Sequence, residues 1–273
     1  MDIDQIRERI EATGNLPAPP DVVIRVTEMA DRDDTTGRQL GMEIAKDQVI
    51  SAKVLRLVNS GFYDFSQPIA TVSHAVTLLG FETVKSLVLG STVLDMMKDA
   101  LPGLWEHSMA CARTSALIAE RAVLDDAQEV CTAGLLHDLG KVILRQTMED
   151  AFIRVVHFVQ ERDVLFVEAE EHILGAHHGD FAGWLLEKWG LPDRLIYPIM
   201  DHHNFQENRP FAYSTAVIHL ADILCRAEAL GRGGDLKIPS LNPAALEILD
   251  LAIEDVIDIM ERMNEEMRDI RRF

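Results

Sequence analysis

The chain has 273 residues, 48% of them apolar, and a formal net charge of −19 at pH 7. That length is long for one compact domain and short for two independent ones, and the apolar content can build a substantial core. The acidic balance argues against non-specific nucleic-acid binding and against an anionic membrane surface, both of which need a basic face; it leaves room for a local basic pocket that takes a small phosphate or nucleotide.

In chain order, the opening stretch MDIDQIRERIEATG is charged and amphipathic, with no secretory core. Periodicity is helical almost throughout, and no period-2 strand stands out. Helices are expected near 2–13, 21–32, 37–46, 48–59, 71–79 and 82–98, then 104–122, 127–137 and 149–162. Further helices are expected at 166–174, 179–189, 193–203, 212–230, 244–250 and 253–271. Turn signals separate them: LPAPP after the first, NSG at 59–61, SQP at 66–68, LPG at 101–103, GLP at 190–192 and GRGGD at 231–235. No uncharged apolar run reaches about 18 residues, so no transmembrane span is expected. Cys111, Cys131 and Cys225 are odd in number and far apart, and read as reduced thiols of a cytoplasmic protein.

The expected fold is all-α and two-lobed: an N-terminal helical lobe over 1–101 and a second lobe over 102–273, divided at Pro102-Gly103. The first lobe holds one histidine, His74, and the second holds nine, so metal chemistry belongs to the second. In the last helix, Ile253, Val256, Met260, Met263, Met267 and Ile270 follow at heptad steps. The preferred reading is a helix packed on the body of the domain; the other is a homodimer or partner contact through methionines.

Five places in the second lobe carry chemistry: His107, the pair His137-Asp138 in GLLHDLGK, GAHHGD at 175–180, DHHNF at 201–205, and Asp222. His107 lines up with Leu104, Cys111 and Ile118, and Asp222 with Thr215, Ile218, Cys225 and Ala229. A carboxylate on such an apolar stripe is costly to bury unless it is paired or binds a cation. His178 continues through Ala182, Leu185 and Trp189, whereas the stripe from His177 ends on Lys188, so His178 points inward and His177 lies at a rim. His202 lines up with Leu195 and Ile199, His203 with Ile196 and Met200. His74, His157, His172 and His219 read as hydrogen-bonded core histidines, with His219 also placed to support Asp222 from behind. Adjacent helical residues point about 100° apart, so His137 and Asp138 can share a ligand only at a helix end, and Gly140 reads as the glycine that stops that helix. Imidazole and carboxylate without thiolate suit Fe, Mn, Zn, Ni or Co better than Mg or Ca. The donors outnumber what one tetrahedral ion needs, which points to two ions.

The order His, His-Asp, Asp on successive helices resembles the HD superfamily of metal-dependent phosphohydrolases. The resemblance implies that His107, His137, Asp138 and Asp222 hold one ion. It also implies that Asp138 bridges to a second ion completed by His178 and His202 with His203 nearby, and that Lys141 faces a substrate phosphate. A narrower resemblance, from about Leu16 to Asp222, is to the HDOD family of bacterial signalling and regulatory modules. LPAPPDVVIRVTEM, KVLRLVNSGFYDFSQPIATVSHAVTLLGFETVKSLVL, AGLLHDLGKVIL and WLLEKWGLP carry it. HDOD proteins often lack the metal ligands, which implies a binding platform without turnover; this chain retains every position of the dinuclear set. Its histidine count is similar to that of HD-GYP phosphodiesterases, but HHNFQENRPFAY carries no Gly-Tyr-Pro.

Three functions follow from these resemblances. The first is a signalling module that binds a metal centre and contacts a partner protein. The second is a phosphohydrolase of a nucleotide or cyclic dinucleotide, with Asp138 and Lys141 in its machinery. The third, weaker, is a di-iron oxygenase.

Overall fold

Fifteen helices make up the regular structure of the computed structural model, which describes residues 2–12, 21–30, 32, 34–59, 65, 67–124 and 127–270. No strand occurs among the described residues. The helices are α1 (Ile3–Ala12), α2 (Asp21–Ala30), α3 (Gly37–Ile44), α4 (Gln48–Val58), α5 (Val72–Ala100), α6 (Leu104–Arg121), α7 (Ala127–Leu136) and α8 (Leu139–Thr147). They continue with α9 (Glu149–Arg162), α10 (Phe166–Leu174), α11 (His178–Lys188), α12 (Asp193–Asp201), α13 (Ala212–Ala227), α14 (Pro243–Ile248) and α15 (Ile253–Ile270).

Local sequence sets most of these boundaries. Thr36 and Gln39 form a reciprocal cap at the start of α3, and the Asp47 carboxylate accepts the Val49 and Ile50 N–H groups of α4. The Asn59 side chain donates to the Ile69 carbonyl and accepts the Ile69 N–H at 2.6 Å, pinning together the ends of the intervening connection. The two helices expected over 71–79 and 82–98 form one run, α5, broken internally at Gly80 by φ +80° and ψ 173°. That conformation suits glycine and is poorly accessible to other residues.

Helices α2, α3 and α4 pack on α5, which also touches α6, α7 and α8. The later helices build the second group: α6 against α7 and α13, α8 against α9 and α11, and α12 against α7, α11 and α13. Helix α1 packs on α11 and α8 of that second group. Its buried Ile6 and Ile10 explain this, because they close over that second group. Helix α15 lies on α6 with Ile259 and Met263 fully buried and Val256 and Met260 packed against the core; Ile253 is exposed. The methionine face is therefore used within the chain, while the side chains of Met267 and Ile270 fall outside the described residues. No helix among the described residues is long and apolar enough to cross a membrane.

One helix, α8, was not expected, and the reading of Gly140 is corrected with it. The chain turns at His137-Asp138 and at once starts a new helix, with Gly140 in its first turn. A Cβ at Gly140 would lie 1.8 Å from the His178 carbonyl oxygen. Gly140 is thus a close-approach residue between α8 and the start of α11, not a helix stop.

Candidate metal centre

Five helix ends and faces converge on one buried cluster. His107 comes from α6, His137 and Asp138 from the α7–α8 turn, His178 from the first residue of α11, His202 and His203 from the end of α12, and Asp222 from α13. His107, His137, Asp138, His178, His202 and Asp222 are each no more than 1% exposed. Asp138 occupies the N-cap position of α8 but makes no side-chain capping bond. Its carboxylate turns inward instead.

Four of the histidines are oriented from behind. Nδ1 of His107 pairs with the Leu230 carbonyl at 3.3 Å, that of His137 with the Gly134 carbonyl at 2.8 Å, and that of His202 with the Ile199 carbonyl at 2.7 Å. His178 Nδ1 pairs with Glu170 Oε2 at 2.5 Å, and the same oxygen accepts the His178 N–H at 3.0 Å. A carbonyl can only accept, so Nδ1 carries the proton in each carbonyl pair and Nε2 is left as a lone-pair donor. Those Nε2 atoms meet in two groups. Asp138 Oδ2 is 3.5 Å from His137 Nε2 and 3.8 Å from His107 Nε2, while Asp222 Oδ1 is 2.9 Å from His107 Nε2. On the other side, His178 Nε2 is 3.3 Å from Asp138 Oδ1, 3.4 Å from His202 Nε2 and 3.0 Å from His203 Nε2. Asp138 presents one oxygen to each group.

Buried polar atoms without partners mark the middle of the cluster. His137 Nε2 and Asp138 Oδ2 have no hydrogen bond, and Asp138 Oδ1 meets the Lys141 ammonium at 2.6 Å as an ion pair without hydrogen-bond alignment. Such orphans are rare in folded proteins, and each calls for a partner, a water or an ion, to complete it. Donor atoms of His107, Cys111, His137 and Asp222 lie within 4.8 Å of one another, as do those of His178, His202 and His203, and those of His137, Asp138 and His202.

A family model for the HDOD domain matches residues 16–205. The chain belongs to the HDOD family. A solved HDOD domain protein of unknown function from Geobacter sulfurreducens is 26% identical, with a TM-score of 0.72 over 97% of each chain. A Marinobacter aquaeolei protein, provisionally described as a signal transduction protein, is 22% identical with a TM-score of 0.73, covering 97% of this chain and 62% of that one. Among curated proteins, Ribonuclease Y of Aquifex aeolicus is 32% identical over 132 residues, which is 48% of this chain and 18% of that protein. The chain spans less than half the length of the curated relatives it matches.

Burial in this HDOD domain works against charging four of the imidazoles. Burial lowers His137 and pushes His202 down to about 3, and it lowers His178 and His203 well below the usual histidine range. Burial alone would raise the two carboxyls. Lys141 nonetheless holds Asp138 below its ordinary value, and Arg226 does the same for Asp222. Arg226 Nε donates to Asp222 at 2.8 Å and its Nη1 to Asp235 at 2.9 Å. Lys141 is fully buried and donates to the Gly233 carbonyl at 2.7 Å, so its ammonium is directed at Asp138 and the 231–235 turn rather than at an open cleft. Gly231 seats that turn against His107: at φ +71°, a Cβ there would lie 2.2 Å from the His107 nitrogen.

His177 sits at the rim as the N-cap of α11, where Nδ1 accepts the Gly179 N–H at 3.1 Å and Asp180 accepts the His177 N–H at 2.9 Å. His219 pairs with the His202 carbonyl at 2.8 Å. Two supporting residues escaped the sequence reading, Glu170 and Arg226. Glu170 is a fully buried carboxylate on the same α10 face as Phe166 and Leu174, the very pattern that singled out Asp222. Arg226 stands one helical turn after Asp222, a spacing at which an ion pair forms directly.

Proposed function

We propose that this HDOD protein is a regulatory module whose second lobe binds a pair of transition-metal ions. His107, His137, Asp138 and Asp222 would hold one ion, and Asp138, His178, His202 and His203 the other. The observation that carries this reading is the Asp138 carboxylate, which is buried, faces one donor group with each oxygen, and has no hydrogen bond of its own. Imidazole and carboxylate donors favour Zn, Fe, Mn or Ni over Mg or Ca. In such a pair the ions supply charge and Lewis acidity to anything bound between them. The chain's own groups supply orientation: Glu170 and the three carbonyls aim the imidazoles, and Arg226 and Lys141 hold the two carboxylates.

Burial favours a centre that shapes or senses over one that turns over substrate. Lys141, which the family resemblance would direct at a phosphate, is shielded and engaged with Asp138 and Gly233. We assign it the role of a counter-ion to Asp138. Regulation through a partner protein accords with the description of the Marinobacter aquaeolei relative.

Hydrolysis of a phosphodiester is the second reading. It is favoured by the retained ligand set and by the likeness to Ribonuclease Y over about half of the chain. The net charge of −19 disfavours a long polynucleotide as substrate.

Elemental analysis of protein purified without chelator tests the proposal. About two equivalents of transition metal are expected in the wild type, and fewer in Asp138→Ala. Less than one equivalent in the wild type overturns it. Turnover of a small phosphodiester that disappears in Asp138→Ala would move the reading to the hydrolase.

A further inference from the structure

The connection between α13 and α14 passes close against the metal centre. It bends sharply at Ala229, Gly231 and Gly234, whose φ angles are +51°, +71° and +107°. Four polar contacts dock it. The Arg232 N–H donates to the Gly103 carbonyl at 2.9 Å, and Lys141 Nζ to the Gly233 carbonyl at 2.7 Å. Arg226 Nη1 donates to Asp235 Oδ1 at 2.9 Å, while Asp235 Oδ2 accepts the Phe166 N–H at 2.9 Å. The next residue, Leu236, is 85% exposed, so the segment runs from the buried centre to the surface.

Two of those four contacts use a cation that also holds a carboxylate of the centre. Lys141 meets Asp138 Oδ1 at 2.6 Å, and Arg226 Nε donates to Asp222 Oδ1 at 2.8 Å. The same two oxygens face the imidazoles: Asp138 Oδ1 is 3.3 Å from His178 Nε2, and Asp222 Oδ1 is 2.9 Å from His107 Nε2. The cations that fasten the turn are therefore the ones that occupy the oxygens an ion would need.

We propose that residues 231–236 form a metal-gated strap, docked on the centre without ions and released when ions are bound. The inference rests on the metal-centre reading above and names how occupancy of that site reaches the surface. Without ions, Asp138, Asp222 and Asp235 face Lys141 and Arg226, and the five charges nearly balance. Two divalent ions on Asp138 and Asp222 leave a large positive excess there. Burial removes the water and salt that would screen it. Lys141 and Arg226 then lose their hold on the carboxylates. Each stands between a carboxylate and the strap, so the repulsion drives both against the strap. The strap has no helix of its own to resist that push.

Hydrogen exchange of the full chain, with zinc alone as the probe, tests the strap. The amides of Arg232 and Phe166 report docking, since one donates to Gly103 and the other to Asp235. Zinc is expected to speed their exchange about 5-fold or more, the lower end of ordinary coupling between sites, while the amides inside α6, α11 and α13 exchange no faster. In Lys141→Met the strap is expected to exchange faster even without zinc, and the zinc-induced step to shrink. A spin label attached in Leu236→Cys is expected to gain mobility with zinc; the three native cysteines are buried and out of its reach. Full zinc binding with strap exchange unchanged or slowed overturns the inference and leaves the metal centre standing. An undiminished zinc step in Lys141→Met also overturns it. Less than one equivalent of bound zinc overturns both readings together. Should Lys141→Met not fold, the wild-type exchange and the spin label still decide.

Discussion

Gly140→Ala separates local propensity from tertiary geometry, because the two predict opposite signs. Alanine is a better helix former than glycine by about 1 kcal/mol, so propensity alone expects the variant to be more stable. The structure places the new Cβ 1.8 Å from the His178 carbonyl oxygen, 2.5 Å from the carbonyl carbon and 2.7 Å from Cα. All three are backbone atoms of the first residue of α11 and cannot rotate away. Restoring ordinary contact, near 3.5 Å, requires α8 and α11 to part by about 1.5 Å at this joint. Overpacking of this kind costs about 1–3 kcal/mol, and the severity here argues for the upper end. After the propensity gain is set against it, a net loss of about 2 kcal/mol remains, or roughly a 5 °C fall in Tm for a chain of this size. The same displacement carries His178 away from Asp138, now 3.3 Å apart, so metal affinity falls as well. Urea denaturation of the apoprotein and zinc titration measure the two effects. A variant as stable as the wild type, binding zinc equally, would show that α8 and α11 do not meet as described.

Other predictions concern the groups behind the ligands. Glu170→Gln weakens the hold on His178 and should lower zinc affinity about 10–100-fold while the helical content stays unchanged; an unaltered Kd removes Glu170 from the support of the centre. Lys141→Met leaves the buried Asp138 carboxylate without its counter-ion and should cost the apoprotein about 3–5 kcal/mol. Because a bound cation replaces that charge, the loss should be much smaller with zinc present, and an equal loss in both states contradicts the counter-ion role. The pH profile follows from the neutral imidazoles. His202, at about 3 when folded, is protonated in the unfolded chain below the ordinary 6.5, so the unfolded state binds more protons and stability falls as pH drops through that window. Between pH 7 and 5 this one residue removes about 2 kcal/mol. His137, His178 and His203 act in the same direction, whereas Glu170, raised by burial, opposes them. Chemical denaturation of the apoprotein should therefore show a loss of several kcal/mol across that range, and a flat profile refutes buried neutral histidines.

The sequence by itself determined the helical class, most helix positions and the family. Periodicity of 3.6 reports which residues share a face, and the stretches around 53–89 and 133–144 carry the HDOD pattern without help from packing. It also singled out every histidine and aspartate of the cluster, because a charged or polar group on an apolar stripe is conspicuous in one dimension. Which faces meet was decided only by tertiary structure. Helix α8 was hidden because Gly140 looks like a terminator until His178 is seen pressed against it. Helix α1 could not be assigned to the later group, since nothing local distinguishes a face that covers α11 from one that covers α2. Lys141 reads as a phosphate contact from the motif and becomes a partner of Asp138 once the 231–235 turn closes over it. Glu170, 8 residues before His178, and His107, 115 residues before Asp222, meet those partners only in space: metal coordination is short-ranged, and donors remote in sequence become ligands when folding brings them within a few ångströms.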